Sequence, residues 1–379
     1  MLELPPLSVY IHIPWCTKKC PYCDFNSHEV QKDLPELEYV FALCEDFDRD
    51  YAYCGNRPIE SIFIGGGTPS LFSAGSFETI LGHIQSKSSL AEHAEITLEA
   101  NPGSVEAQKF KDYRAAGINR LSLGIQSFDD TQLRNLGRIH NANEAKRAID
   151  YAGQAGFDNL NLDLMHGLPG QRQIEALEDL KTAIDFSPAH ISWYQLTIEP
   201  NTIFYARPPL LPSESVITDV ETAGNALLEE YSYIRYEVSA FSLKGKQSRH
   251  NLNYWQFGDY LGIGAGAHGK LTNVEQNRLS RTRKPVQPKN YLRSSISRDA
   301  EINWIDPASL PIEFLLNVLR TKQGFSIPMF ESRTGLPFST IRKKVGSLVM
   351  NGLLQADDGW ITSTDRGFLM LNSLLQEFL

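Results

Sequence analysis

Three of the five cysteines lie within eight residues near the start of the chain, at Cys16, Cys20 and Cys23. Three thiolates on one short loop can bind three irons of a cubane 4Fe-4S cluster, and no fourth cysteine follows at ligand spacing. One iron would therefore lack a protein ligand and be open to a small molecule, which indicates chemistry rather than electron storage alone. Cys44 and Cys54 fall in or beside a predicted helix, and we interpret them as thiols without a ligand role.

A zinc site and a disulfide are the alternatives for this loop. A structural zinc site normally has four ligands in two separated pairs, and no second pair occurs at that spacing, although His12 or His28 could close a cysteine-rich site. The odd number of cysteines and the lack of a secretory signal argue against a disulfide. The 4Fe-4S cluster is therefore the favoured prediction.

Length and composition indicate a globular protein with one large and one small domain. The chain has 379 residues, of which 42% are hydrophobic, so a sizeable core can form. The net charge of −9 and the isoelectric point near 5.5 disfavour bulk attraction to nucleic acid or to an anionic membrane. No stretch approaches the roughly 20 apolar residues of a membrane span, and the N-terminus has no signal segment. We therefore expect a soluble cytoplasmic protein with reduced thiols.

Hydrophobic patterns predict alternating strands and helices up to about residue 196. Short β-branched or aliphatic runs predict strands, and helical patterns separate them. The predicted strands span residues 8–13, 60–64, 95–100, 119–125, 157–164 and 189–196, and the predicted helices span residues 35–53, 74–87, 104–116, 143–155 and 171–186. Strands that alternate with crossover helices require a parallel sheet, and six such units predict an α/β fold with a partial (β/α)6 barrel of the TIM type.

Polar and glycine-rich residues follow the predicted strands at their carboxyl ends. Residues 65–69 follow the second strand, residues 99–102 end the third, and residues 124–128 end the fourth. Asp163 lies near the end of the fifth strand and Tyr194 near the end of the sixth. Because α/β barrels carry their sites at this face, the pattern predicts one shared pocket.

The cysteine loop resembles a known superfamily. Three and then two residues separate the cysteines, and the aromatic Tyr22 precedes the last of them, a pattern that resembles the radical S-adenosyl-L-methionine (SAM) superfamily. The resemblance implies a radical SAM barrel and a 4Fe-4S cluster whose free iron is chelated by the amino and carboxylate groups of SAM.

Several residues of the predicted pocket have the chemistry to bind SAM. Glu99, Gln126 and Asp163 would be costly to bury without partners, and they can satisfy the ammonium group and the ribose hydroxyls. Arg138 can bind the SAM carboxylate. The glycines at 65–67 remove side chains, so that backbone groups can approach the amino acid part of the ligand, although the same residues also suit a turn. In the alternative interpretation, Glu99, Asp163 and Arg138 form structural ion pairs or helix caps.

Longer motifs make the resemblance more specific. The chain resembles the oxygen-independent coproporphyrinogen III oxidase group over essentially its whole length, in the motifs at residues 10–16, 65–70, 117–128 and 163–171. That resemblance also implies that residues near Gln195 and Ile263 approach the adenosine, with a looser match. The SAM-binding residues that it implies are Tyr10, Tyr22, Gly66, Gly67, Thr68, Glu99, Gln126, Arg138 and Asp163.

Two departures separate the chain from the true oxidases of that group. The oxidases have a further cysteine two positions after the third ligand, where this chain has Phe25, and they have a longer N-terminal extension. Both departures argue against oxidative decarboxylation of coproporphyrinogen III, which is the alternative function. The branch that the chain resembles most is associated with binding haem and delivering it to apo-haemoproteins, including respiratory enzymes. Haem and such recipients are therefore the expected partners. A peripheral membrane contact is compatible with delivery to them.

Residues 236–269 contain the candidate haem contact. His250 lies close to Tyr254 and Trp255, and a histidine beside aromatic side chains can provide an axial ligand and a flat apolar wall for a porphyrin. The pattern also resembles the stretch singled out in the haem-binding branch. The alternative is that His250 caps or hydrogen-bonds a loop over the barrel and that Trp255 belongs to the core. His268 is a second candidate, for which a structural role is favoured.

A connector and a small C-terminal domain complete the prediction. Residues 270–300 lack apolar periodicity and are rich in lysine and arginine, which predicts an exposed basic connector. Its basic side chains could meet porphyrin propionates or an anionic partner, but a solvated surface is the favoured interpretation. The helical patterns beyond residue 311, a turn at 357–359 and a last helix resemble a winged helix. Its predicted helices span residues 312–321, 327–333, 339–351 and 364–378.

Charge balance argues against nucleic-acid binding by this C-terminal region. From Asp306 onward, seven acidic side chains balance seven basic ones, whereas DNA-binding modules are usually strongly basic. We therefore expect a lid or a protein-contact domain. The predicted organisation is a radical SAM core (1–235), a barrel-covering segment with the basic connector (236–304) and a small winged-helix-like domain (305–379).

Overall fold

The strands and helices of the first part alternate along the chain. A computed structural model describes residues 1–31, 33–103, 106–293 and 301–379. The elements of the first part are, in order, β1 (Leu7–Ile13), β2 (Trp15–Cys16), β3 (His28–Glu29), α1 (Glu36–Tyr51), β4 (Ile59–Gly66), α2 (Ala74–Lys87), β5 (Leu90–Ala100), α3 (Glu106–Ala115), β6 (Arg120–Gln126), α4 (Asp130–Asn135), α5 (Ala142–Gln154), β7 (Leu160–His166), α6 (Gln173–Asp185), β8 (His190–Gln195), α7 (Ile203–Ala206) and α8 (Glu214–Glu230).

The second part adds shorter elements. In order they are β9 (Ile234–Arg235), β10 (Ala240–Ser242), α9 (Arg249–Trp255), β11 (Asp259–Ile263), β12 (His268–Asn273), β13 (Arg278–Arg283), α10 (Pro288–Arg293), β14 (Glu301–Trp304), α11 (Leu310–Val318), β15 (Phe325–Ser326), α12 (Ile327–Thr334), α13 (Ser339–Met350), β16 (Leu354–Asp357), β17 (Trp360–Ser363), α14 (Asp365–Leu369) and α15 (Leu371–Gln376).

One large sheet forms the barrel. Strands β1, β4, β5, β6, β7 and β8 are parallel neighbours in that order, joined by crossover helices. Most of their residues are buried, since the helices cover one face and the barrel interior covers the other. This arrangement confirms the predicted α/β fold with a partial (β/α)6 barrel.

The sheet continues beyond the predicted strands. Strand β11 pairs in parallel with β1, and within the described residues β12, β13 and β14 extend that edge as antiparallel strands. The long helix α8 was not predicted. Its signal is Ser213, whose hydroxyl caps the helix by accepting from the Val216 N–H. The last predicted helix divides at Met370 into α14 and α15.

The prediction of an exposed basic connector is wrong for residues 270–284. This segment belongs to the β12–β13 hairpin, and the side chains of Lys270 and Lys284 are almost fully buried. Lys270 Nζ lies 2.9 Å from Asp259 Oδ1, and Lys284 pairs with Asp46 and with Asp50. Both lysines are buried beside carboxylates on other elements, and those of Lys284 are remote in sequence, which a charge count cannot reveal. Residues 294–300 of the predicted connector, with Arg298, lie outside the described residues.

The C-terminal elements pack around a core of their own. Helices α11, α12 and α13 and the small sheet β15-β17-β16 enclose buried apolar residues, which include Phe314 and Phe330. Leu2, near the N-terminus, and Phe257, between α9 and β11, join this core. The order of helices and hairpin agrees with the predicted small C-terminal domain. None of the helices in the described ranges is both long enough and apolar enough to span a bilayer.

The buried pair of Lys270 with Asp259 provides a test of the fold. Lys270→Met should lower the free energy of unfolding by about 3 kcal/mol or more, because Asp259 then loses one of the two cations that lower its pKa against the effect of burial. Urea unfolding followed by circular dichroism measures the change. Lys289→Met, at an exposed position, should change it by less than about 0.5 kcal/mol. Equal effects of the two substitutions would contradict the structural role of Lys270.

Candidate functional site

A large cavity opens at the carboxyl ends of the parallel strands. Its volume is about 680 Å³, which is typical of a small-molecule site. Every predicted site residue except Tyr10 and His250 lines it. The predicted residues that it brings together are Cys16, Cys20, Cys23, Tyr22, Gly66, Gly67, Thr68, Glu99, Gln126, Arg138 and Asp163.

Short backbone pairing closes the cysteine loop. Strands β2 and β3 form a two-residue parallel ladder that ties the ends of the loop together. Inside the loop, the Cys23 N–H donates to the Cys20 carbonyl oxygen at 3.1 Å. Cys16, Cys20 and Cys23 are all free thiols, whereas Cys44 and Cys54 do not line the cavity. The fold thus presents one set of three thiols to the cavity.

The donor set of the loop fits a cluster better than a single ion. Within residues 1–31, 33–103, 106–293 and 301–379, no three His, Cys, Asp or Glu side chains are grouped closely enough to hold one metal ion. A cubane cluster distributes its cysteine ligands over separate irons, so its thiols need not converge on one point. Arg138 Nη1 lies 3.7 Å from Cys20 Sγ, so the cysteine loop and the cationic side of the cavity adjoin each other.

The two histidines that could complete a zinc site have other partners. The ring nitrogens of His12 lie 2.9 Å from the Tyr10 hydroxyl and 2.8 Å from the Asn26 carbonyl oxygen. His28 Nε2 lies 3.1 Å from Asn26 Oδ1. These contacts give both rings a structural role beside the cysteine loop. They also fix the Tyr10 hydroxyl against His12, and Tyr10 does not line the cavity.

Close packing explains the glycines at the end of β4. A Cβ atom on Gly66 would lie 2.5 Å from His12 Cε1, and one on Gly67 would lie 2.4 Å from the Trp15 carbonyl oxygen. Gly66 also has φ of +114°, where side chains are strained. These positions therefore require glycine because of their protein neighbours, whether or not a ligand is bound.

Hydrogen bonds limit what this glycine-rich loop can offer a ligand. The Gly66 N–H donates to Glu99 Oε2 at 3.0 Å. The N–H groups of Gly67 and Thr68 donate to backbone carbonyl oxygens at 2.8 and 2.7 Å. Since these donors are in use, the loop can interact with a ligand through its carbonyl oxygens, which suit an ammonium group and not a carboxylate.

Two carboxyl groups are buried in the cavity wall. Asp163 accepts from the Ser122 hydroxyl at 3.0 Å and from the Asn161 amide at 2.8 Å. Burial, reinforced by the charge of Asp163, raises the pKa of Glu99 to about 8, and burial also raises the pKa of Asp163. In the described part of the chain, neither carboxyl lies within ion-pair distance of a cation. A ligand with a positive charge would fill this deficit.

Arg138 supplies a positive charge on the same cavity. Its Nη2 donates to Asn101 Oδ1 and, at 2.7 Å, to the Gly124 carbonyl oxygen, and no carboxylate of the described residues pairs with it. Asn101 in turn donates to Thr68 Oγ1 at 3.0 Å. Asn101 is not among the predicted site residues, although its position at a strand end two residues after Glu99 is a usable signal. Neutral partners thus orient the guanidinium and leave its charge available to a carboxylate.

Gln126 marks the end of β6 with an unusual backbone. Its φ is +69°, a conformation that is uncommon for residues other than glycine. The Tyr194 hydroxyl donates to Gln126 Oε1 at 2.7 Å, and both side chains line the cavity. Gln195 also lines it, whereas Ile263 is buried in β11 and does not. Tyr194 is therefore a candidate site residue that the sequence indicated only by its place at a strand end.

The structure does not bring His250 into the cavity. Helix α9 packs against β1, β4 and β11, and it turns His250 towards them, where the ring lies 5.1 Å from that of Phe63 and Nδ1 lies 3.1 Å from Ser61 Oγ. Burial lowers the pKa of His250 to about 3, so the ring is neutral. The opposite side of the same helix presents Asn251 and Trp255 to the cavity.

Comparisons with known proteins agree with this geometry. The family model of the radical SAM superfamily matches residues 10–183, and that of the HemN C-terminal domain matches residues 305–370. Over its full length the chain is 48% identical to a protein of Escherichia coli (strain K12) named heme chaperone HemW, all of which is covered. The chain belongs to the heme chaperone HemW family. A Haemophilus influenzae member of the HemW family is 49% identical over all of this chain and 99% of the relative.

A solved structure shows the same fold. Coproporphyrinogen III oxidase (HemN) from Escherichia coli matches with a TM-score of 0.82 over 99% of this chain and 90% of that chain, at 22% sequence identity. At that identity the likeness concerns the fold alone. The radical SAM superfamily implies a 4Fe-4S cluster and SAM as cofactors, and the thiols and charged groups of the cavity fit both.

The raised pKa of Glu99 predicts that SAM binding releases protons. Below about pH 8 Glu99 is mostly protonated in the free protein, whereas a bound ammonium group favours its ionised form. We expect release of about one proton per SAM at pH 7 and much less at pH 9. Calorimetry of the cluster-loaded protein in two buffers of different ionisation enthalpy measures it.

A matched variant isolates the group responsible. Glu99→Gln keeps the shape of the side chain and should abolish the proton release at pH 7. Release of protons that is unchanged in this variant, or heats that are identical in the two buffers for the unmodified protein, would contradict the assignment to Glu99.

Proposed function

We propose that this protein is a radical SAM haem chaperone, which binds haem and delivers it to apo-haemoproteins such as respiratory enzymes. The observation that carries the proposal is the full-length identity of 48% to a protein named heme chaperone HemW. Phe25 supports the same function over the oxidase alternative, because an exposed phenyl ring lines the cavity at the position where the oxidases have a further cysteine. Coproporphyrinogen III oxidation is therefore the second candidate.

The cavity residues would hold the cofactors in two adjoining places. Cys16, Cys20 and Cys23 would bind the cluster. Glu99 and the carbonyl oxygens of the glycine-rich loop would bind the SAM ammonium, and Arg138 would bind its carboxylate. When bound, the cluster would supply an electron for the reductive cleavage of SAM.

Further SAM contacts follow from the cavity lining. Gln126 and Asp163 would bind the ribose hydroxyls, with Tyr194 orienting Gln126. Tyr22 and Thr68 also line the space in which SAM would lie. Tyr10 would act indirectly, through its hydrogen bond to His12.

The partners of the protein belong to the same proposal. Haem would be its cargo, and apo-haemoproteins of the respiratory chain would be the recipients. A peripheral contact with the membrane that carries those recipients, and a location in the cytoplasm, are proposed with them. The division at residues 235 and 305 is also proposed, and the match of the HemN C-terminal domain from residue 305 supports the second boundary.

Haem transfer by variants of the thiols tests the proposed function. Hemin-loaded wild-type protein, with its cluster and SAM, should reconstitute the activity of an apo-haemoprotein from respiratory membranes. Replacing Cys16, Cys20 and Cys23 by serine should abolish uptake of iron and sulfide and reduce transfer at least tenfold, if the cluster serves delivery.

Replacing Cys44 and Cys54 by serine is the matched control, since neither thiol lines the cavity. This variant should keep both the cluster and the transfer activity. A wild-type protein that transfers no haem, but converts coproporphyrinogen III under anaerobic conditions, would establish the oxidase alternative instead.

His250 stays a prediction as the haem ligand. Asn253 donates to Ser8 Oγ at 2.9 Å, the hydroxyls of Ser8 and Ser61 lie 2.8 Å apart, and Ser61 contacts His250 Nδ1. If each hydroxyl in this series of hydrogen bonds donates to the next group, the Ser61 hydroxyl donates to His250 Nδ1. The proton of the neutral ring then lies on Nε2. The ring must then change partners before it can bind iron.

Hemin titration of His250→Ala measures this role. We expect the affinity to fall about tenfold, because helix α9 loses one of its contacts with the sheet and Asn251 and Trp255 are no longer held against the cavity. A displaced Soret band would show direct ligation by His250, and an unchanged band would show support of the cavity wall. His268→Ala, at an exposed side chain outside the cavity, should leave affinity and spectrum unchanged.

A further inference from the structure

A second group of cavity-lining residues lies away from the cysteine loop in sequence and comes from three parts of the chain. Glu237 precedes β10, Trp255 ends α9, and Arg320 follows α11. We call these three residues the Arg320 cluster. The guanidinium of Arg320 stacks on the indole of Trp255, 4.6 Å from the ring centroid, and Arg320 Nη2 lies 3.9 Å from Glu237 Oε2. None of the residues assigned above to the iron cluster or SAM belongs to it.

Backbone contacts fix this cluster in place. Thr321 forms an isolated antiparallel bridge with Glu237, and the Lys322 N–H donates to the Tyr236 carbonyl oxygen at 3.0 Å. Arg320 directly precedes this bridge, so it is anchored at the boundary between the barrel and the C-terminal elements. The C-terminal region therefore contributes a wall of the cavity.

Each member of the cluster has a buried polar atom that lacks a hydrogen bond. These atoms are Trp255 Nε1, Arg320 Nε and Glu237 Oε2, which have no hydrogen-bond partner in the described part of the chain. These atoms have almost no accessible surface, so a ligand in the cavity would reach the cluster through the terminal nitrogens of Arg320, whose side chain is 34% exposed. The 3.9 Å separation from Glu237 Oε2 is too long for a hydrogen bond, so Glu237 does not occupy these donors. Guanidinium nitrogens can only donate, so the ligand group that they bind must be an acceptor.

A carboxylate meets this requirement best. It offers two oxygens to adjacent N–H donors, and the charge of Arg320 strengthens such hydrogen bonds. Glu237 does not exclude it. Its Oε1 accepts from the Ser239 N–H at 3.0 Å, and burial raises its pKa, which favours a neutral carboxyl group beside an incoming anion.

We propose that the Arg320 cluster binds a carboxylate of the ligand, and that this carboxylate is a haem propionate. The second part rests on the proposed haem-chaperone function. Haem would then be held with one propionate against the C-terminal wall of the cavity, while Trp255 provides an aromatic surface next to the macrocycle. SAM also has a carboxylate, but Arg138 is available to it, so the two acids would take separate cations.

Binding of hemin and of hemin dimethyl ester tests the proposal. The wild-type protein should bind hemin about tenfold or more tightly than the ester, since only the ionised acid gives Arg320 a charge-assisted hydrogen bond, whereas the ester carbonyl is a neutral acceptor. Arg320→Gln should lose this preference and bind both compounds alike, and Arg320→Lys should retain part of it. Titrations followed at the Soret band measure all affinities, and thermal unfolding checks that each variant is folded.

Two further variants and a second ligand make the test specific. Arg342→Gln removes another arginine of the C-terminal region that stacks on an aromatic ring, Phe338, outside the cavity, and it should keep the wild-type preference for the acid. Glu237→Gln replaces the carboxyl by an uncharged group of the same shape and should bind hemin at least as tightly as the wild type. SAM binding to the cluster-loaded protein should be unaffected by Arg320→Gln.

Each result that would contradict the proposal leads to a different conclusion. An Arg320→Gln variant that keeps the wild-type preference for hemin over its ester would overturn the proposal. A loss of SAM binding without loss of the hemin preference would assign the Arg320 cluster to SAM, and weaker hemin binding by Glu237→Gln would reduce the cluster to a structural ion pair. If the wild-type protein shows no saturable hemin binding, the proposed function itself fails.

Discussion

The site at the strand ends depends on acidic and basic side chains that have no oppositely charged partner among the described residues. Glu99 and Asp163 are buried on neighbouring parts of the sheet, and neither forms an ion pair within the described residues. Arg138, on the same cavity, has neutral hydrogen-bond partners only. A zwitterion satisfies both conditions at once, because its ammonium and carboxylate groups meet opposite charges. The amino acid portion of SAM is such a zwitterion, and the thiols beside it account for the remaining chemistry of the cavity.

The rest of the fold serves to keep these groups in place. Parallel strands bring residues that are remote in sequence to one edge, and the extension of the sheet by β11 fixes β1, which leads into the cysteine loop. Helix α9 has two sides with different roles. One side is bonded to the sheet through His250 and Asn253, and the other forms cavity wall with Asn251 and Trp255. A single short helix thus connects the barrel interior with the ligand space.

Much of this could be predicted from the sequence, for physical reasons that also set the limit. The strands were identifiable because residues buried on both faces form short continuous apolar runs, and the cysteine spacing is a local signal. Lys270 and its partner Asp259 were not identifiable, since a buried lysine and an exposed one look alike until the partner's position is known. The burial of His250 was missed for the same reason: the motif suggested a ligand, whereas contacts with Ser61 and Phe63 decide where the ring lies.

The glycine-rich end of β4 has a consequence for the thermodynamics of ligand capture. Its N–H donors are already bonded, and the space over Gly66 and Gly67 is filled by His12 and Trp15. This backbone is therefore pre-organised: it has the same course before and after a ligand arrives. The entropic cost of association then comes from the incoming molecule and from the side chains around it. Little affinity is lost to ordering the backbone at Gly66 and Gly67.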